Sequence, residues 1–105
     1  MQKSQDILNQ IKNIVLSKEP SAKVLLYGSR ARGNERKDSD WDLLILVKQD
    51  KISYDYEKQI TDSLYDLEFE TGEIISPMVY SETEWNTKYS VTPFYQLVMK
   101  DAKPL

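Results

Sequence analysis

Residues 23–47 read Lys23-Val24-Leu25-Leu26-Tyr27, then GSRARGNERKDS over residues 28–39, then Asp40-Trp41-Asp42-Leu43-Leu44-Ile45-Leu46-Val47. The first five residues are a short apolar run stopped by Gly28, the pattern of a buried strand. The polar middle carries Gly28 and Gly33, which predicts a loop with room for one helical turn. The last segment is almost wholly apolar after its two aspartates and predicts a second buried strand. A link this tight favours an antiparallel pair, because parallel strands need a longer crossover.

The flanking sequence supplies the elements that cover such a pair. Ile7, Leu8, Ile11, Ile14 and Val15 fall at helical spacing within residues 5–17, which predicts an amphipathic helix. Glu19-Pro20-Ser21 ends it, because proline disfavours helix in the residue before it. A long helix is expected from Tyr54 to Glu70, with Tyr56, Ile60, Leu64 and Leu67 on one face and Gly72 as its stop. Glu73–Tyr80 predicts a third strand, with Pro77 marking an edge position or an unpaired amide there. Ser81-Glu82-Thr83-Glu84 is a capping box that opens a short helix through Trp85. Thr92-Pro93 starts a further helix, with Thr as cap and Pro at the first helical position. The second strand, long helix and third strand make a right-handed crossover between parallel strands. The expected architecture is one α/β (α+β) domain over residues 1–105, a small mixed sheet with helices on one face.

Composition narrows the chemistry. The 105 residues contain no Cys and no His, with 14 basic and 17 acidic residues giving a net charge of −3. A disulfide framework, a thiol nucleophile, a Cys- or His-ligated metal and a Ser–His–Asp triad are therefore excluded. Carboxylates, hydroxyls, Lys/Arg and backbone groups remain. An acidic chain does not suit broad non-specific nucleic-acid binding, which needs a basic face to displace counterions. The longest apolar runs are far short of the roughly 20 residues that span a bilayer, and MQKSQDILNQ lacks a secretory apolar core. A cytoplasmic location is the expectation.

Asp40 and Asp42 lie two residues apart at the start of a strand, so both carboxylates project to the same side, about 6–7 Å apart along the chain. Trp41 and Leu43 point the other way, into the core. Two carboxylates this close repel and raise each other's pKa, and a divalent cation removes that cost. Oxygen ligands without imidazole or thiolate favour Mg²⁺ or Mn²⁺ over zinc. The same pair on its own could equally accept bonds from loop amides. Upstream, Gly28 allows close backbone approach to a ligand, and the amides and hydroxyl at Ser29 can hold a phosphate. Arg30, Arg32, Arg36 and Lys37 form a basic segment, open to reading as a solvated loop or as phosphate neutralisation. GSRARG lacks the G-K-[ST] ending of a Walker loop and the spacing of a dinucleotide fingerprint.

Gly28-Ser29, ten intervening residues and then Asp40-x-Asp42 resemble the signature of the polymerase-β-type nucleotidyltransferase superfamily. GSRARG…SDWDLLILV is similar to its minimal branch, the small domains related to the kanamycin-nucleotidyltransferase family. The resemblance is closest over residues 24–47 and extends over roughly residues 5–80. It implies a nucleotidyltransferase fold and nucleotidyl transfer, with Mg²⁺ (or Mn²⁺) as cofactor and a nucleoside triphosphate, ATP foremost, as substrate. Gly28 and Ser29 are then implied to hold the triphosphate, with Arg30 and Ser39 as further nucleotide-binding candidates. Asp40 and Asp42 are implied to bind metal and carry catalysis. The minimal branch is often the antitoxin half of a pair with a helical HEPN-type toxin, which implies transfer of AMP to a tyrosine of that partner.

One position departs from the pattern. The family usually carries a third acidic residue on the next core strand, and reading on from Gly72 puts Ser76 in that slot. Serine is neither an anionic ligand nor a competent base at neutral pH, and neither Glu70 nor Glu73 fits as a substitute. Two readings follow: an enzyme with a two-carboxylate site, or an inactive or weakly active module that binds nucleotide or partner. Transfer to a small molecule such as an aminoglycoside ranks last, because the chain looks too short for an added substrate domain. The tyrosines and tryptophans suit helix–sheet packing, and Asp62, Asp66, Glu68 and Glu70 suit a solvated helix face. Apolar residues in Ser90–Leu105 offer a contact for a partner or a homodimer.

Overall fold

The computed structural model describes residues 3–105; Met1 and Gln2 lie outside the described residues. The chain runs α1 (Lys3–Lys18), β1 (Lys23–Tyr27), α2 (Ser29–Arg32), β2 (Trp41–Val47), α3 (Tyr54–Thr71), β3 (Ile75–Ser81), α4 (Glu82–Asn86), α5 (Pro93–Asp101) and β4 (Lys103–Pro104). The four strands form one mixed sheet in the order β3-β2-β1-β4. β1 pairs antiparallel with β2, and β2 pairs parallel with β3 across the α3 crossover. Both orientations follow the sequence expectation. The short β4, which carries no strand pattern of its own, adds antiparallel to the free edge of β1.

The helices form where their apolar spacing and caps dictate. Ile7, Ile11 and Val15 of α1 are buried at i, i+4, i+8, and Ile60, Leu64 and Leu67 of α3 at i, i+4, i+7. Ser53 caps α3 by accepting from the Tyr56 amide at 3.1 Å, and Gly72, with φ 77°, closes it by donating to the Glu68 carbonyl. The Tyr56 hydroxyl donates to the Glu19 carboxylate, tying the start of α3 to the chain just after α1. The N-cap half of the expected capping box is present: Ser81 accepts from the Glu84 amide at 3.2 Å. Thr92 accepts from the Tyr95 amide at 3.1 Å, ahead of Pro93 at the start of α5.

The sheet carries two apolar layers. Trp41, Leu43, Ile45 and Val47 face α1 and α3 in one cluster with Val24, Leu26 and Ala31. The expectation of helices on one face holds for these two long helices and is corrected for the shorter ones. Leu44 and Leu46, on the opposite face, pack with Trp85 of α4 and Val98 of α5. The physical reason lies in β2, whose residues 43–47 are all buried: each buried aliphatic side chain contributes about 1.5–3 kcal/mol, so an uncovered second face would leave Leu44 and Leu46 in water. β3 lies at the edge, where Pro77 interrupts no ladder on its outer side. No described helix is long and apolar enough to cross a membrane.

Candidate active site

The sheet register gathers the candidate residues at one end of β2. Asp42 is the register partner of Tyr27 on β1 and of Ser76 on β3, so Tyr27, Asp42 and Ser76 form a row across three strands. Register partners share a face, which places Ser76 beside the aspartates. Asp40 lies one residue before β2 and is exposed, while Asp42 is half-buried. The Ser76 hydroxyl donates to Asp40 Oδ2 at 3.1 Å.

Gly28 closes the other side. Its backbone has φ 78° and ψ −159°, a region essentially reserved for glycine. A Cβ built there would lie 2.3 Å from Asp42 Oδ2, so the chain passes directly over the carboxylate only because position 28 has no side chain. The Gly28 carbonyl accepts from the amides of Ala31 and Arg32 at 3.0 and 3.1 Å, turning the chain at once into the single turn of α2. Buried Ala31 anchors that turn in the core, so Ser29 begins a rigid turn beside Asp42.

Two of the predicted nucleotide contacts are engaged in the loop itself. Arg30 donates from Nε to the Ser39 carbonyl at 3.0 Å and from Nη2 to the Lys37 carbonyl at 3.4 Å. Its guanidinium stacks 3.9 Å from the centre of a Trp41 ring. Ser39 Oγ accepts from the Arg36 amide at 2.7 Å. These bonds hold residues 36–39 against β2 and so set where Asp40 starts. A cleft of about 900 Å³ opens alongside, lined by Arg30, Arg36, Lys37, Ser39, Trp41 and Ile74 among others. It flanks Asp40 without including either aspartate, Gly28 or Ser29, so the carboxylate row rather than the cleft locates the candidate chemistry.

Arg32 is a residue that sequence reasoning left in the general basic loop. It forms an ion pair with Asp101 at the end of α5, Nη1 to Oδ2 2.7 Å, and its charge acts on Asp42. No sequence signal marks a pair 69 positions apart. Burial pushes the Asp42 carboxyl above its ordinary value, the Asp40 charge raises it further, and Arg32 opposes both. Tyr27 is held protonated: burial and the charge of Asp42 push its hydroxyl up to about 12.

The donor set fits a hard divalent cation. Two carboxylates and a hydroxyl converge, one carboxylate is destabilised as an anion by burial and by its neighbour, and no nitrogen or sulfur ligand competes. Among the described residues no group of three or more acidic, His or Cys side chains gathers. Glu68, one carboxylate near the start of β3, is occupied in accepting from the Ile75 amide at 2.7 Å.

Known proteins share this sequence pattern and this fold. A "Putative protein adenylyltransferase MJ0141" from Methanocaldococcus jannaschii is 35% identical over 81 residues, covering 74% of this chain and 80% of the relative. A crystal structure of a toxin–antitoxin with AMP-PNP superposes with a TM-score of 0.64 at 18% identity, covering 91% of this chain and 69% of the other. The structure of a "putative minimal nucleotidyltransferase" has a TM-score of 0.57 at 22% identity, covering 96% of this chain and 94% of the other. These two likenesses show the shared fold. The profile of the nucleotidyltransferase domain matches residues 8–90, a span that takes in the whole Gly28–Asp42 corner and Ser76. The chain belongs to the nucleotidyltransferase domain family.

Proposed function

We propose that this protein transfers AMP from ATP to a hydroxyl group of a partner protein. The observation that carries the reading is the corner itself. Asp42 lies against Gly28, where an added Cβ would meet its Oδ2 at 2.3 Å, Asp40 precedes it by two residues on the same side, and Ser29 opens a turn next to Gly28. Asp40 and Asp42 would hold Mg²⁺ or Mn²⁺, and Gly28 and Ser29 would receive the triphosphate. When bound, the cation neutralises phosphate charge and the departing pyrophosphate. Arg32 supplies positive charge at the same corner, while Arg30 and Ser39 act by fixing the loop ahead of Asp40.

The choice of adenylate and of a protein acceptor draws on the archaeal relative, which is named as a protein adenylyltransferase. A paired protein, of the HEPN type that the family resemblance implies, draws on the likeness to the toxin–antitoxin structure. Val91, Phe94 and Leu97 lie exposed on or just before α5 and offer apolar surface to such a partner. The same reading takes the protein as a cytoplasmic enzyme working as one domain. Incubation with ATP labelled at the α-phosphate, together with the protein encoded beside it, should move label to that partner. Asp40→Asn/Asp42→Asn should abolish the transfer, and label that persists in this variant would overturn the assignment.

A second reading has its own observation. Ser76 stands where a third carboxylate would complete the site and bonds to Asp40 instead. On that reading the domain binds nucleotide and partner but turns over little. Full-rate transfer by the unchanged protein would eliminate it.

A further inference from the structure

We propose that Ser76 is itself an acceptor, so that the protein adenylylates its own β3 strand; this rests on the AMP-transfer reading given above. Three features of the corner lead there. The first is placement. The strand order β3-β2-β1 sets Asp42 of β2, with Asp40 just ahead of the strand, between the Gly28–Ser29 turn after β1 and the Ser76 hydroxyl on β3. A triphosphate seated with its pyrophosphate end on that turn and its α-phosphorus over the carboxylates would turn the opposite side of that phosphorus toward β3. Nucleophile and leaving group then lie on opposite sides, as in-line displacement at phosphorus requires.

The second is polarisation. The Ser76 hydroxyl already donates to Asp40 Oδ2 at 3.1 Å, which leaves its oxygen lone pairs directed away from Asp40. The third is access. β3 is the edge strand, Ser76 is half-exposed, and buried Ile75, held by Glu68, fixes the backbone beside it. Neighbouring hydroxyls are worse placed. Tyr27 donates to Met78 Sδ, Ser39 accepts from the Arg36 amide, and Ser29 lies on the leaving-group side.

The step balances within the named components. Ser76 Oγ forms a bond to the α-phosphorus of ATP, and the bond from that phosphorus to the bridging oxygen of the β-phosphate breaks. Pyrophosphate leaves with the electron pair. The hydroxyl proton departs along the hydrogen bond to Asp40 and passes to water. The product is a serine–AMP phosphodiester beside both aspartates, so the reaction is limited to one event per chain and closes the site to a second ATP.

The test is mass spectrometry of the full chain after incubation with Mg²⁺ and ATP, with peptide mapping of the product and a parallel titration with a fluorescent ATP analogue. The proposal expects a mass increase of one adenylate per chain at most, mapped to Ser76. It also expects complete loss of that adduct in Ser76→Ala at an unchanged melting temperature. Because mapping is done on the unchanged protein, it does not depend on the variant folding. An unmodified chain that nonetheless binds the analogue and labels a partner overturns this inference and leaves the transfer reading standing. An adenylate mapped to any other residue also overturns it. Failure to bind the analogue at all removes both.

Discussion

Replacing Gly28 with alanine tests the corner where two independent constraints meet. The first is conformational: φ 78° and ψ −159° lie in a region that a residue with a Cβ occupies only at about 1–3 kcal/mol. The second is spatial: the new Cβ would sit 2.3 Å from Asp42 Oδ2, 3.2 Å from its Cγ and 3.4 Å from its Cβ. The carboxylate oxygen is the end of a side chain and can swing away, so the fold survives while Asp42 leaves its place. Gly28→Ala should therefore lower stability by about 2 kcal/mol, which for a domain of this size lowers the melting temperature by roughly 8–16 °C. It should also remove cation-dependent ATP binding. Gly33→Ala is the matched control. Gly33 also has positive φ, 80°, but its Cβ would meet nothing within 4 Å, so the expected loss is about 1–2 kcal/mol with ATP binding intact. Thermal unfolding and titration with a fluorescent ATP analogue read both quantities. A Gly28→Ala protein that binds Mg-ATP as tightly as the unchanged chain would refute the reasoning.

Other predictions follow from the same geometry. Asp42→Asn should stabilise the cation-free protein by about 0.5–2 kcal/mol, the size typical of relieving an active-site strain, while destroying ATP binding; a lower melting temperature would count against the like-charge argument. Because burial and Asp40 raise the Asp42 carboxyl in the folded state, its contribution to stability is fully present below its unfolded value of 3.8 and is lost as pH rises through the higher folded value. The melting-temperature advantage of Asp42→Asn should accordingly shrink as the solution is made acid, and an advantage independent of pH would be inconsistent with this cause. Ser81→Ala removes a buried cap of α4 and should cost about 1 kcal/mol by denaturant titration. Asp101→Asn breaks a partly exposed ion pair, so stability should fall by no more than about 1 kcal/mol; Arg32, freed from α5, should then show altered affinity for ATP in calorimetry.

Much of the fold was legible because local signals agreed with the global arrangement. The apolar run 43–47 read as a buried strand, Pro77 pointed to an edge or an unpaired amide, and Ser81 and Thr92 announced their helices through side chains that do cap them. What covers the second face was not legible. Trp85 and Val98 are simply apolar residues on short helices, and only the finished sheet shows that they meet Leu44 and Leu46. β4 had no alternation to detect, since its pairing is set by where α5 ends.

At the site, the spacing of Gly28-Ser29 and Asp40-x-Asp42 was enough to bring those residues to one place. Reading on from Gly72 also led to Ser76, which the register sets opposite Asp42. Arg30 shows the limit of charge reading. A basic side chain in a phosphate-like loop pointed to a ligand contact, and the structure stacks it on Trp41 and bonds it to loop carbonyls. Arg32, two residues on, holds the ion pair to Asp101 that no local pattern encodes.

The account rests on one claim, that the Asp40–Asp42 pair and the Gly28–Ser29 turn bind a cation-complexed nucleotide. Isothermal titration of ATP into the protein with and without Mg²⁺, repeated on Asp40→Asn/Asp42→Asn, tests it most directly. The account predicts saturable binding of one ATP per chain that requires Mg²⁺ and disappears in the double variant. Equal binding by the unchanged protein and the double variant, or binding indifferent to Mg²⁺, would contradict it.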